Sequence, residues 1–249
     1  MFDLIGDVHG CLPELRALLG KLGYRVGSKG QLKAQNGRTL VFVGDLVDRG
    51  PDIPGTLRLA MRAVQDGRAL SVQGNHDWRL AAHLRGEAVK QSDSIKISVA
   101  QLRGERRPFL GRVETFLAGL PHRLELDGGR LIVVHAGERL DLPEPERAHY
   151  AVHGRNTGAR DEYGSKVRED WSALYAGPAL VVSGHTPVLK PRWVGPNAAG
   201  GVSVNLDTGC VYGGRLTALR YPELKTVSVR AQKAYASSKR FGAAREGKR

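Results

Sequence analysis

Five times within the first 187 residues an apolar, strand-type run stops at a cluster of glycine with Asp, Asn or His. Phe2-Asp-Leu-Ile5 leads into Gly6-Asp-Val-His9, and Thr39-Leu-Val-Phe-Val43 into Gly44-Asp-Leu-Val-Asp-Arg-Gly50. Ala69 to Val72 precedes Gly74-Asn-His-Asp77, Leu131 to Val134 precedes His135-Ala-Gly137, and Leu180 to Ser183 precedes Gly184-His185-Thr-Pro187. Charge beside a buried strand is costly unless it is paired or bound to a metal. Recurrence at strand ends therefore points to one shared site, because the carboxyl ends of parallel strands in an open α/β sheet line a common crevice.

The segments between the first three runs support a parallel sheet. Leucines at 12, 15, 19 and 22 fall on one helical face, with Pro13 in the first turn and Gly23 at the end. Residues 53–66 repeat the pattern through Ile53, Leu57, Met61 and Val64, which makes the opening βαβαβ. A mostly helical stretch is expected over 76–119. Strands follow near 122–126, 131–135, 179–183, 201–206, 215–220 and 225–230, a hairpin-rich second half that calls for a mixed sheet or two stacked sheets.

At 249 residues and 41% apolar content, the chain suits one large α/β domain over residues 1–230. Residues 231–249 carry six basic residues against one acidic and are expected to form a flexible basic tail, solvated or touching nucleic acid. The formal net charge of +13 favours anionic partners. No run of about eighteen apolar residues is present, and the N-terminus begins at once with a strand, so no membrane partner and a cytoplasmic location are expected. Cys11 and Cys210 form no CxxC pattern and read as ordinary reduced thiols. No GxxxxGK[ST] phosphate loop occurs.

The clusters supply Asp7, His9, Asp45, Asn75, His135 and His185, a carboxylate and imidazole set without thiolate. Such a set suits manganese, iron, zinc or other borderline divalent ions. Six donors are too many for one catalytic ion with an open position, whereas two ions bridged by Asp45 accommodate them and would suit displacement at phosphorus. Asp52 and Asp77 read as helix caps. His83, His122, His149 and His153 read as hydrogen-bonded core or surface residues, Arg155 as a solvated loop residue with a second phosphate contact as the alternative, and Trp171 and Trp193 as packing residues with base stacking as the alternative.

In order, GDVHG, GDLVDRG, GNHD, VVHAG and SGHTP resemble the motif series of the calcineurin-like binuclear metallophosphoesterases. His153-Gly-Arg-Asn-Thr-Gly158, Asp161-Glu-Tyr-Gly164 and Asn205-Leu-Asp-Thr-Gly-Cys210 extend the resemblance to a subgroup. That subgroup comprises the phosphatase module of bacterial polynucleotide kinase-phosphatases and the PrpE-type asymmetric diadenosine tetraphosphatases. The resemblance implies an α/β/β/α sandwich with two mixed β-sheets flanked by helices. It places Asp7, His9 and Asp45 on a first ion and Asp45, Asn75, His135 and His185 on a second, most commonly Mn2+, with Fe, Zn, Ni or Co as alternatives. It also makes His76 the general acid, with Asn75 and His76 in the substrate site, Asp48 orienting His76, Arg49 binding the phosphoryl oxygens and Asp207 supporting a metal-bound histidine.

The implied activity is phosphoester hydrolysis by metal-bound water or hydroxide. The substrates implied are of nucleotide type, either diadenosine polyphosphates or nucleic-acid ends bearing a 3′-phosphate or 2′,3′-cyclic phosphate. Phosphoserine or phosphothreonine protein is the alternative partner. A non-catalytic nucleic-acid-binding protein of the same fold would be expected to have eroded ligands, and none of these positions is lost. Two segments depart from the subgroup pattern: the connection 189–201 is longer, and histidine precedes Gly154 where an aromatic residue is more usual.

Overall fold

The computed structural model describes residues 1–27, 30–34, 37–90 and 92–246, with side chains through 243. The chain runs β1 (Phe2–Ile5), α1 (Leu12–Leu22), β2 (Tyr24–Val26), β3 (Leu32–Ala34), β4 (Thr39–Phe42), α2 (Ile53–Gln65) and β5 (Ala69–Ser71). Three helices follow, α3 (Asn75–Leu84), α4 (Asp93–Leu102) and α5 (Arg107–Ala118). The second half is β6 (Arg123–Leu126), β7 (Leu131–Val134), α6 (Glu146–His153), β8 (Asn156–Arg160), β9 (Lys166–Arg168), β10 (Leu180–Ser183), β11 (Arg192–Val194), β12 (Val202–Asn205), β13 (Arg215–Tyr221), β14 (Lys225–Arg230) and α7 (Lys239–Glu246).

Two five-stranded mixed sheets form, ordered β14-β13-β1-β4-β5 and β11-β12-β10-β7-β6. Strand side chains alternate between faces, and here each face meets a different layer. Leu40 and Phe42 of β4 join the core beneath α1 and α2, whereas Val41 and Val43 join the layer between the sheets. Leu131 and Val133 of β7 meet that middle layer from the other sheet, and Ile132 and Val134 face outward onto Tyr150, Ala151 and Trp171. The result is the expected α/β/β/α sandwich, in which burying each such leucine or isoleucine contributes about 1.5–3 kcal/mol.

Strand register places the polar clusters. β1 and β4 run parallel with Phe2 opposite Thr39 and Ile5 opposite Phe42. The pairing then continues past the strands, since His9 N donates to Asp45 O at 2.8 Å and Gly10 N to Leu46 O at 2.9 Å. A slip of one residue would turn every side chain to the opposite face and scatter the clusters. Helix ends fix the same turns. Asp52 caps α2 by accepting from Gly55 N at 2.7 Å, and Asp77 accepts from Gly74 N at 3.0 Å and Leu46 N at 2.9 Å, tying the start of α3 to the β4 turn.

The segment expected as a flexible tail lies against the rest of the molecule over residues 231–243. Gln232 N and Tyr235 OH both donate to Glu14 Oε1 at 2.9 Å, and Phe241 is 4% exposed, covering Gly209 and Gly214. Widely spaced apolar anchors, Ala231, Tyr235 and Phe241, hold a segment whose composition is otherwise cationic. Residues 247–249, including Lys248 and Arg249, lie outside the described residues. The connection 189–201 contains β11, which pairs with β12 at a sheet edge. Cys11 and Cys210 are buried and unbridged, and no helix among the described residues is long and apolar enough to cross a membrane.

Candidate metal centre

The parallel strands β1, β4 and β5 of one sheet and β7, β10 and β12 of the other deliver their following turns to one crevice. Asp7, His9, Asp45, Asp48, His76, His135, His185 and Asp207 are all buried there. Among the described residues, seven non-glycine residues have positive φ: His9, Asp45, Asp48, Arg49, Asp127, His185 and Leu224. Five of these belong to the crevice. Such backbone costs about 1–3 kcal/mol per residue and concentrates at functional sites. Two glycines are required by close approach: a Cβ on Gly74 would meet Asp45 Oδ1 at 2.2 Å, and one on Gly184 would meet Asp7 Oδ1 at 2.0 Å.

Asp45 is central. His9 Nε2 lies 3.5 Å from Asp45 Oδ2, and His135 Nε2 lies 3.4 Å from Asp45 Oδ1. His9 and His135 each direct Nδ1 to a backbone carbonyl, Val47 O at 2.7 Å and Val43 O at 2.9 Å, which leaves the Nε2 lone pairs aimed inward. Asn75 Oδ1 sits 3.1 Å from His135 Nε2 and 2.8 Å from His185 Nδ1. Two groups of potential ligand atoms result, His9 with Asp45 and His76, and Asp7 with Asp45 and His135, all within 4.8 Å in each. Asp45 is common to both, although Asp7 falls with His135 rather than with His9.

The electrostatics fit cations at this place. Burial, reinforced by Asp207 and Asp45, raises the Asp7 carboxyl well above its ordinary range, and burial with Asp45 nearby pushes Asp207 up to about 6. Asp45 is held well below the ordinary value because His135 and His76 outweigh its burial. Burial, then the Arg49 guanidinium, lowers His9 to about 3. Burial, then Arg168 and His135, holds His185 well below its usual value. Burial lowers His135, but Asp45 and Asp7 outweigh it and raise that imidazole to about 9, so a divalent ion, which demands neutral imidazole and ionised carboxylate, would take the place of the protons on His135 and Asp7. Arg49 itself stands in for such a cation, donating Nη1–H to the His9 Nε2 lone pair at 2.7 Å.

His76 and Asp48 form a separate unit. His76 Nδ1 donates to Asp48 Oδ2 at 2.5 Å, while Ser98 Oγ donates to Asp48 Oδ1 at 2.5 Å. Asp48 is thereby fixed, and His76 Nε2 faces Asp45 Oδ2 at 4.0 Å. Burial holds His76 below its ordinary value despite the opposing pull of Asp45.

Arg168 is brought to the crevice although the sequence did not single it out. Its Nη1 donates to His185 O at 2.5 Å, and it sits in the field of Asp45, Asp207 and Asp7 while burial lowers its pKa. Its one sequence signal is position: it closes a short strand just after the Asp161-Glu-Tyr-Gly164 turn. Arg155 instead points outward, 3.8 Å from Glu169. Trp171 packs against Tyr175, and Trp193 is exposed on β11.

Comparison with known proteins gives a consistent result. Residues 1–189 match the family model of the calcineurin-like phosphoesterases. The chain is 39% identical over 246 residues to the asymmetrical bis(5′-nucleosyl)-tetraphosphatase PrpE of Anoxybacillus flavithermus, covering 96% of this chain and 98% of that protein. It is 42% identical over 238 residues to that of Geobacillus thermodenitrificans, covering 91% and 93%. A crystal structure described as a diadenosine tetraphosphatase superposes with a TM-score of 0.66 at 30% identity, covering 92% of this chain and 93% of that chain. A serine/threonine phosphatase from Saccharomyces cerevisiae shares the fold, with a TM-score of 0.56 at 14% identity, covering 96% and 81%.

Proposed function

The chain belongs to the calcineurin-like phosphoesterase family and is a metallophosphoesterase, and on that premise we propose that it hydrolyses dinucleoside polyphosphates at a centre of two divalent ions. The observation that carries the proposal is Asp45, which presents one oxygen toward His9 and the other toward His135. We assign Asp7, His9 and Asp45 to one ion and Asp45, Asn75, His135 and His185 to the other, with Asp207 behind them. Manganese is the first choice for a carboxylate and imidazole set lacking thiolate. Divalent ions held there supply Lewis acidity at the phosphoryl oxygens and acidify a bound water.

The side chains divide the remaining work. Arg49, released from His9, offers a planar fork to two phosphoryl oxygens, and Arg168 offers a second guanidinium across the carboxylates. His76, oriented by Asp48, protonates the departing oxygen through Nε2. A phosphate brought to Nε2 favours the protonated ring and offsets the burial that lowers it. The nucleotide substrate is supported by tetraphosphatase relatives that align over nearly the whole chain. Asymmetric cleavage of diadenosine tetraphosphate would release AMP and ATP. Buried, unbridged Cys11 and Cys210 suit a reducing cytoplasm.

Parallel assays on diadenosine tetraphosphate, a 3′-phosphorylated oligonucleotide, a 2′,3′-cyclic nucleotide and a phosphopeptide test the substrate. The expected order places diadenosine tetraphosphate first in kcat/KM, and a larger value for the phosphopeptide would overturn it. General-acid catalysis is worth about 10²- to 10⁴-fold. His76→Ala should therefore damage alkyl phosphate hydrolysis far more than p-nitrophenyl phosphate hydrolysis, at unchanged metal content. Equal loss on both substrates would remove the acid role.

A further inference from the structure

A cleft of about 920 Å³ opens beside the metal centre and is continuous with it through Asn75 and His185. Its lining combines two chemistries: Trp78, His153 and His149 from α3 and α6, and Lys166, Arg168 and Lys239 from β9 and the C-terminal segment. The volume is within the range of about 300–1,000 Å³ of sites that enclose small organic ligands.

Trp78 lies three residues after Asn75 on α3, so both share a face about 4.5 Å apart along the helix axis. The residue remains 40% exposed. The other exposed tryptophan, Trp193, lies outside this cleft. Trp78 is fixed by an edge-on contact with His153, centroids 5.1 Å apart at 87°, and His153 stacks on His149 at 4.4 Å and 29°. Burial and the neighbouring His149 bring His153 down to about 4, so its ring is uncharged at neutral pH. A braced indole beside uncharged imidazole, in a cleft also lined by lysine and arginine, is complementary to a base joined to a chain of phosphates.

We propose that this cleft holds the nucleotide of the dinucleoside polyphosphate that lies away from the reacting phosphorus, its purine against Trp78 and its phosphates toward Lys166 and Arg168. The proposal rests on the dinucleoside polyphosphate reading above and adds the group that recognises the second nucleoside. Position on α3 ties that recognition to catalysis, because the helix that presents Trp78 begins at Asn75 and His76.

The test uses the full, metal-loaded chain with Trp78→Ala and Trp78→Phe. Stacking on an aromatic side chain is worth about 1–3 kcal/mol per base. The ratio of kcat/KM for diadenosine tetraphosphate to that for p-nitrophenyl phosphate should therefore fall about tenfold in Trp78→Ala, mainly through KM, and recover in Trp78→Phe. A ratio within twofold of wild type, or no recovery with phenylalanine, would overturn the proposal. Inhibition of p-nitrophenyl phosphate turnover by AMP provides a reading that requires no dinucleotide cleavage, and it too should weaken about tenfold in Trp78→Ala. Wild-type protein that cleaves p-nitrophenyl phosphate but not diadenosine tetraphosphate would overturn the substrate reading. Unchanged AMP inhibition in Trp78→Ala would overturn the stacking site by itself.

Discussion

Strand β1 carries a buried aspartate near its start and another just beyond its end, and their surroundings are opposite. Asp3 accepts from Arg38 Nε at 2.9 Å, Arg220 Nε at 3.2 Å and Tyr24 OH at 3.0 Å. Asp7 accepts from the backbone N of His185, at 3.3 and 3.1 Å to its two oxygens, and faces the charges of Asp207 and Asp45. Both carboxylates are hidden from water. The first is neutralised by the protein's own arginines, whereas the second belongs to a group whose negative charge the chain leaves to a ligand. A buried charge by itself thus does not identify a site; its counter-charge does.

Asp45→Asn is the substitution with the largest expected effect. Asparagine retains the shape and an oxygen that can accept from His76 N, a bond of 3.0 Å in the native chain, so the fold should persist. The lost charge is needed by two cations, so metal content should drop and hydrolysis should be abolished. Chelator should lower the melting temperature of the wild type by removing a ligand of the native state and have little effect on the variant. Two metals per chain with near-normal turnover would remove Asp45 from its bridging position and erase the contrast between the two ends of β1.

At the other end, Arg38→Ala leaves Asp3 with reduced compensation. The Arg38 side chain is 6% exposed, and it also holds Glu223 at 2.8 Å and the carbonyls of Phe2 at 2.8 Å and Tyr221 at 2.9 Å. Breaking a buried pair from one side costs about 3–5 kcal/mol, measurable by denaturant unfolding. Metal content per folded chain and turnover at low temperature should match wild type. Loss of metal in proportion to the lost stability would mean that the two ends of the strand are not independent.

The same distinction explains what was legible in the sequence. Asp7, Asp45, Asn75 and His185 stood out because each follows a glycine just past an apolar run, and His135 because it ends such a run two residues before Gly137. In the two five-stranded sheets every strand but β11 was visible through alternation or continuous apolar character, whereas β2, β3, β9 and β11 were not read from the sequence. β8 offered neither, since all five of its residues are exposed, and the segment leading to Arg168 therefore carried no periodic signal. Trp78 was hidden in a helix whose buried apolar residues are Leu80, Ala81 and Ala82, and only its exposure separates it from packing. The histidines of α6, read as ordinary core or surface residues, line the cleft because the helix end brings them beside Trp78. In the C-terminal segment, charge dominated composition while three spaced apolar residues determined placement.

The smallest expected effect comes from moving the same chemistry to the surface. Arg240 Nη2 meets Asp161 Oδ2 at 3.0 Å, close to the 2.9 Å between Arg38 and Asp3, but the side chains are 39% and 18% exposed rather than 6% and 0%. Arg240 Nη1 also donates to Pro187 O at 3.0 Å, pinning the C-terminal segment to two loops. Exposed pairs contribute about 0–1 kcal/mol, so Arg240→Ala should cost no more than that in denaturant unfolding. Amide exchange in residues 237–243 should nevertheless quicken, because a local contact has been released without opening the core. Raising ionic strength from about 0.05 to 0.5 M should shrink the Arg240 effect and leave the Arg38 effect nearly intact, since screening acts on exposed charges. With separation nearly equal, the gap between the two variants measures chiefly burial and the additional partners of Arg38. Equal costs would place the C-terminal segment within the cooperative core rather than docked upon it, and would make its contact with Asp161 a structural counterpart of the Asp3 cluster.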